Sequence, residues 1–169
     1  RFDDQAIEQL QVANQALLDK VHRLRKTETL LIDLDSSHAD TYGQQENASY
    51  NAHYGTVGFH PLVAFDGLTG DFLKAKLRSG KVYTSNGTVD FLSPLLEHYN
   101  QTFPETSTLV RGDSGFAVPG LYELCEQESV YYIIRLKSNP KLKALAEELQ
   151  PIHEIHDVSV TESFVEESL

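Results

Sequence analysis

The fold is predicted by the stretch TLLIDLDSS, Thr29 to Ser37, which has the form of a buried strand that ends in acid. Three apolar residues lead into Asp33 and Asp35. Because side chains alternate across a strand, the two carboxylates point to the same face. Unpaired acids are costly inside a core. We therefore expect them at the mouth of the strand, facing a cation or a phosphate.

A second stretch has the same form: STLVRGDSG, Ser107 to Gly115, is a short apolar run that ends in Arg111, Gly112 and Asp113. We expect the two strands to lie side by side and to bring Asp35 and Asp113 together. The pattern predicts that Asp113 ends its strand as Asp35 ends the first.

Carboxylates on neighbouring strand ends form a hard-oxygen site of the kind that Mg²⁺ and Mn²⁺ prefer. Two such ions about 4 Å apart can activate a nucleophile and stabilise the leaving oxygen of a phosphodiester. The candidate metal ligands are Asp33, Asp35 and Asp113.

Composition restricts the function classes. The 169 residues suffice for one domain with a core, and a net charge of −11 argues against an autonomous nucleic-acid binder with a basic face. One cysteine, Cys125, excludes an intrachain disulfide and is expected to be a packed thiol in an intracellular protein. No apolar run approaches the ~20 residues of a membrane span, so we expect a cytoplasmic protein with no membrane partner. The absence of methionine predicts a fragment of a longer chain.

The remaining pattern predicts a mixed α/β architecture. Residues 3–25 show an apolar stripe at helical spacing, residues 38–58 are expected to be loop or irregular hairpin, and the later elements are three helices and four strands. The stripe of the first helix consists of Ile7, Leu10, Leu17, Val21 and Leu24. The predicted order is a meander of three strands followed by alternating helices and strands, with residues 1–28 as an N-terminal helix, 29–150 as the core and 151–169 as an insertion or tail.

The third strand of the meander, DFLKAKLR, is predicted to lie at an edge of the sheet. Its basic residues, Lys74, Lys76 and Arg78, alternate with apolar ones and so share one face. Three cations on one face are expected to be solvated, although such a face could also meet a phosphate backbone.

In order along the chain, IDLDSS, YGQQE, SYN, HPLVAF and LVRGDSGF resemble the DDE transposases of bacterial insertion sequences, and the insertion sequence thirteen-eighty group in particular. The resemblance covers about Leu30 to Leu149. It implies a ribonuclease-H-like five-stranded mixed sheet, Asp35 and Asp113 as catalytic acids, Asp33 as a supporting acid and Mg²⁺ or Mn²⁺ as cofactor. It also implies transposon and target DNA as partners of the full-length protein, assembly as a homodimer, and transfer of a 3′ hydroxyl to target DNA.

Two features depart from this family. Its members place Lys or Arg near Tyr50 and Asn51, where this chain has Ala52, His53 and Tyr54, so DNA affinity of this segment is expected to be weak. The family's third acid, a glutamate on a later helix, is expected beyond Leu169, which would leave this piece inactive alone. Glu147, on a predicted helix after the last strand, is the rival.

Three alternatives stay open at this point. Asp33 and Asp35 also resemble the nucleophile and the acid/base of haloacid-dehalogenase-type phosphatases. The tripeptide from Arg111 to Asp113 is one that adhesion receptors recognise. The chain could also be a non-catalytic relic of the fold. Among the histidines, His38 and His60 are weak ligand candidates because a lone histidine is more often a surface or core residue. His153 and His156 have a spacing usable for metal, but no cysteine or third histidine supports it.

Overall fold

The structure is a computed structural model that describes residues 3–43 and 45–149, apart from the side chains of Asp4 and of residues 146–149. The described part forms two sheets and four α-helices. The strands are β1 (Thr29–Ser36), β2 (Ala39–Asp40), β3 (Ser49–Asn51), β4 (Thr56–Phe59), β5 (Leu62–Asp66), β6 (Phe72–Lys76), β7 (Ser107–Gly112) and β8 (Tyr131–Ile134). The helices are α1 (Asp4–Arg25), α2 (Thr88–Thr102), α3 (Pro119–Gln127) and α4 (Pro140–Leu149).

The main sheet has five strands in the order β6-β5-β1-β7-β8. β1 is antiparallel to β5 and parallel to β7, and β7 is parallel to β8. An antiparallel meander of three strands is thus followed by two parallel ones, which is the ribonuclease-H-like order that the family resemblance implies. The predicted α/β fold with a mixed five-stranded sheet and an N-terminal helix is confirmed.

One face of this sheet carries the hydrophobic core. Leu30, Ile32 and Leu34 of β1 are buried there against the apolar face of α2. That helix begins at Thr88, after Gly87 in the left-handed conformation, and continues through Pro94. Cys125 of α3 is fully buried in the same core, as predicted. The alternation of β1 therefore leaves Asp33 and Asp35 on the opposite face.

Helix α1 forms where the sequence predicts it, but the predicted apolar stripe is not the face that packs. Leu24 is 84% exposed and Leu17 60%, whereas Leu18 and His22 are buried. The adjoining side chains are amides: Gln11 and Asn14 donate hydrogen bonds to backbone carbonyls of β6. Because β6 is an edge strand with unpaired backbone groups, it favours a polar helix face. The assignment of the buried face was wrong for this reason.

The segment predicted as loop or irregular hairpin contains a second sheet, in the order β2-β4-β3. Its strands contain only two to four residues, too few for an alternating pattern to appear. This sheet follows β1 in the chain, since β2 begins at Ala39 and β1 ends at Ser36. The loop after β6 joins it, because the Gly80 amide donates to the Gly58 carbonyl of β4.

The expectation of a solvated basic face on β6 was wrong for two of its three residues. Lys76 is exposed, but Lys74 is half-buried and donates to the carbonyl of Phe91 at 2.7 Å. Arg78 is only 8% exposed. The strand ends at Lys76, two residues before Arg78. The alternation therefore does not extend to Arg78.

No helix in the described ranges is long and apolar enough to cross a membrane. The predictions for residues 151–169, including His153 and His156, fall outside the described residues. The division at residues 28 and 150 stays a prediction.

Candidate active site

The candidate site lies at the carboxyl ends of two adjacent parallel strands. Asp35 is the second-last residue of β1, and Asp113 follows the last residue of β7 in extended backbone conformation. The register pairs Leu34 with Gly112, so Asp35 and Asp113 come next on their two strands. Neighbouring strands run about 4.8 Å apart. The predicted adjacency of the two strands is therefore confirmed, and both acids are exposed at the same end of the sheet.

Local hydrogen bonds hold each carboxylate. The Ser36 amide donates to Oδ1 of Asp35 at 2.7 Å and the Ser37 hydroxyl to Oδ2 at 3.0 Å. The Gly115 amide donates to Oδ1 of Asp113 at 2.8 Å. Within the described ranges, neither acid forms an ion pair with lysine or arginine. Since a carboxylate offers about four lone pairs, both keep acceptor capacity for a ligand in solvent.

Asp33 has a different environment. Arg111, its register partner on β7, donates from Nε to Oδ1 and from the guanidinium NH2 to Oδ2, both at 2.6 Å. This bidentate pair is a strong, oriented contact, and its hydrogen bonds raise the pKa of Arg111. Gly67 lies directly against the pair, since a Cβ there would be 2.3 Å from Asp33 Oδ2. The geometry favours a supporting role for Asp33, while metal ligation by Asp33 stays a prediction.

Arg78 acts as a clamp: its buried guanidinium connects the end of β1 to three loop carbonyls. Its guanidinium donates to the Ser36 hydroxyl at 2.6 Å, the His60 carbonyl at 2.9 Å, the Thr84 carbonyl at 3.0 Å and the Asn86 carbonyl at 2.7 Å. Burial lowers the pKa of Arg78, yet an arginine side chain stays charged in proteins. This buried cation fixes the residue that follows Asp35. Sequence reasoning missed it because most of its partners are loop carbonyls.

The histidines near the site have structural partners. The two ring nitrogens of His60 lie 2.7 Å from the Val82 carbonyl and 3.2 Å from the Ser36 carbonyl. His38 contacts the Thr56 hydroxyl at 2.8 Å and stacks on Tyr54 with 4.8 Å between ring centroids. Both rings therefore brace the junction between β1 and the small sheet.

A cleft of about 570 Å³ opens next to Ser114, the residue after Asp113. Its lining also includes Lys137, which precedes α4, and Lys141, in the first turn of α4. Two lysines next to an acidic site offer point charges to phosphate oxygens. Glu147 lies farther along α4, but its side chain is outside the described residues.

The chain is similar to known transposases. A family model described as transposase DDE domain group 1 matches residues 1–167. The chain belongs to this family. A search of curated proteins finds no significant match. One similar solved structure is the cryo-EM structure of the piggyBac transposase synaptic complex with hairpin DNA, at 16% identity and a TM-score of 0.44. The match covers 65% of this chain and 23% of that one, so this DDE domain spans about a quarter of that protein.

Two alternatives lose support here. In a phosphatase Asp33 would be the nucleophile, but Arg111 engages both its oxygens, and β1 is followed by the small sheet and the returning β5 rather than by a helix. An adhesion motif needs an exposed loop tip, whereas Arg111 and Gly112 of this DDE domain lie in β7, between β1 and β8. Neither alternative fits these positions.

Proposed function

We propose that this chain is most of the catalytic core of a bacterial insertion-sequence transposase, which cuts transposon ends and joins the 3′ hydroxyl to target DNA. Residues 29–150 form the core in this proposal, residues 1–28 an N-terminal helix and residues 151–169 the start of an insertion. The cytoplasm of a bacterium is its location, and the full-length protein acts as a homodimer on DNA.

The observation that carries the proposal is the register of β1 and β7, which sets Asp35 and Asp113 next to each other at the carboxyl ends of parallel strands. Family membership supports it independently. Their donor chemistry fits Mg²⁺ or Mn²⁺, because these ions prefer exposed carboxylate oxygens, and in the described part of the chain neither acid has a lysine or arginine partner.

In this mechanism Asp35 and Asp113 would hold the divalent ions through carboxylate oxygens that keep acceptor capacity. When bound there, such ions would supply charge stabilisation to a reacting phosphodiester. Ser37 and Gly115 orient the two carboxylates through the hydrogen bonds that they donate. The Asp33–Arg111 pair keeps the adjoining strands in register.

DNA is a polyanion, and in this proposal it binds to an acidic protein. Because the chain has a net charge of −11, binding of DNA requires local positive charge. Lys137 and Lys141, which line the cleft, would contact the phosphate backbone. The third acid is a glutamate beyond Leu169, with Glu147 on α4 as the rival. The chain alone is then expected to show weak DNA binding and no strand transfer.

Mn²⁺ titration followed by NMR tests the metal site. Paramagnetic Mn²⁺ broadens amide signals close to where it binds, so the signals of Ser36, Gly112 and Gly115 should broaden first. Asp35→Asn and Asp113→Asn should each weaken this effect strongly, because each removes a ligand charge. Asp33→Asn should change it less.

The matched control is Glu105→Gln, an exposed acid just before β7 and so at the opposite end of that strand. It removes the same charge from the chain and should leave the broadening unchanged. Broadening that is equally strong in Asp35→Asn, Asp113→Asn and the control would contradict the proposal. Cleavage of a DNA end by this chain that depends on Glu147 would identify Glu147 as the third acid.

A further inference from the structure

A second group of metal-ligating side chains lies away from the two catalytic candidates. His22 is in the last turn of α1, Asp66 ends β5 and Asp71 precedes β6. One ligand atom of each lies within 4.8 Å of the other two. The three residues thus join the end of α1 to the turn between β5 and β6.

The histidine of this group is buried. His22 is 2% exposed, and its Nε2 has no hydrogen-bond partner in the described part of the chain. The ring packs against Tyr99 and Phe103, with centroid distances of 5.5 and 5.9 Å. A buried nitrogen with no partner is unfavourable. The aromatic neighbours do not satisfy it, and a bound metal ion would.

The two carboxylates keep acceptor capacity toward the same space. Asp66, 1% exposed, accepts from the Leu68 amide at 3.0 Å and from the Thr69 hydroxyl at 2.8 Å, one bond on each oxygen. Asp71 pairs with Arg25 through Oδ2. Each acid therefore has lone pairs left, and two like charges so close to one another favour a cation between them.

We propose that His22, Asp66 and Asp71 bind a divalent transition-metal ion of the Zn²⁺ type, separate from the Asp35–Asp113 site. One imidazole nitrogen, two carboxylate oxygens and a water suit tetrahedral Zn²⁺, and an imidazole ligand favours Zn²⁺ over Mg²⁺. Burial lowers the pKa of His22, although the two acids oppose that shift, and a neutral ring can offer its lone pair. Such an ion fastens α1 to the β5–β6 turn.

Co²⁺ serves as the spectroscopic probe, because tetrahedral Co²⁺ absorbs visible light far more strongly than the hydrated ion. Titrated into the whole chain, about one equivalent of Co²⁺ should give this absorption. Zn²⁺ should displace it and should raise the thermal unfolding temperature, and a chelator should reverse the rise. His22→Asn and Asp71→Asn should each abolish the absorption.

Three controls separate this site from others. Asp35→Asn and Asp113→Asn should keep the Co²⁺ absorption, which distinguishes this ion from those at the catalytic candidates. His98→Asn removes another histidine that contacts a carboxylate of α1, Asp19, and should also keep it. If His22→Asn fails to fold, Asp71→Asn still tests the proposal, because Asp71 is partly exposed and its loss leaves the core intact.

Three results would overturn the proposal. The first is wild-type protein that shows neither Co²⁺ absorption nor a Zn²⁺-dependent rise in unfolding temperature. The second is absorption that survives in both His22→Asn and Asp71→Asn. The third is absorption that disappears in Asp113→Asn, which would place the ion at the strand ends instead.

Discussion

The substitution Arg78→Met tests the clamp behind β1. It removes the donor to the Ser36 hydroxyl and to the carbonyls of His60, Thr84 and Asn86. An acceptor left buried without a donor costs about 1–3 kcal/mol. Ser36 keeps its bond to Pro61, and some loop carbonyls can turn to water. We therefore expect the free energy of unfolding to fall by about 3–4 kcal/mol, near the low end of the range for four such acceptors.

Arg78→Lys separates charge from geometry. A lysine keeps the cation, but its single ammonium group cannot span four acceptors arranged around a planar fork. We expect it to recover part of the loss and to remain about 2 kcal/mol less stable than wild type. Because domains are stable by about 5–15 kcal/mol, both losses are measurable by urea unfolding. Far-ultraviolet circular dichroism is the suitable signal, since the chain has no tryptophan.

Lys76→Met is the matched control, because Lys76 lies two residues away, is exposed and carries the same charge. It should change the free energy of unfolding by less than about 0.5 kcal/mol. A second measurement concerns the site: Arg78→Lys should also weaken Mn²⁺ broadening at Ser36, because the end of β1 loses its support. Arg78 variants as stable as the Lys76→Met control would refute the clamp.

Three further outcomes are expected. Gly67→Ala should destabilise the protein by about 1–3 kcal/mol in urea unfolding, because the new Cβ would meet the Asp33 carboxylate; an unchanged midpoint would contradict this. Cys125 should react with a disulfide reagent at pH 8 only on unfolding, because burial raises its pKa to about 11; prompt native labelling would disprove that burial. Burial disfavours the charge of Asp19, but hydrogen bonds from Gln15 and His98 outweigh it and lower its pKa. Its stabilising effect should be present above about pH 4 and lost at lower pH, so stability differences between wild type and Asp19→Asn should shrink on acidification.

The parts of the fold that the sequence predicts are those with long local patterns. β1 and β7 each contain an apolar run that ends in acid, and their pairing places Leu34 beside Gly112. A strand that is buried on one face and ends at solvent needs such a pattern, so it can be recognised from the residues alone. The adjacency of the two candidate acids follows from those runs.

Other features depend on contacts that leave no pattern in the sequence. The buried face of α1 is selected by edge carbonyls of β6, which accept from Gln11 and Asn14, while Leu24 remains in solvent. Arg78 bonds mainly to loop carbonyls, and any residue type can supply those. The small sheet is held by two to four residues per strand. These contacts are made to backbone groups, which are the same in nearly every residue type and therefore leave no signal in the sequence.

The charge distribution links the candidate site to its proposed substrate. The chain has a net charge of −11, and Asp35 and Asp113 add two exposed carboxylates where a DNA phosphate would approach. Arg78, which is buried, bonds to the Ser36 hydroxyl rather than to either acid, and the Asp33–Arg111 pair is already neutral. Since like charges at close range repel, the two free acids would oppose DNA on their own. Binding of divalent ions and binding of DNA at this position should therefore favour each other, because each lowers the electrostatic cost of the other.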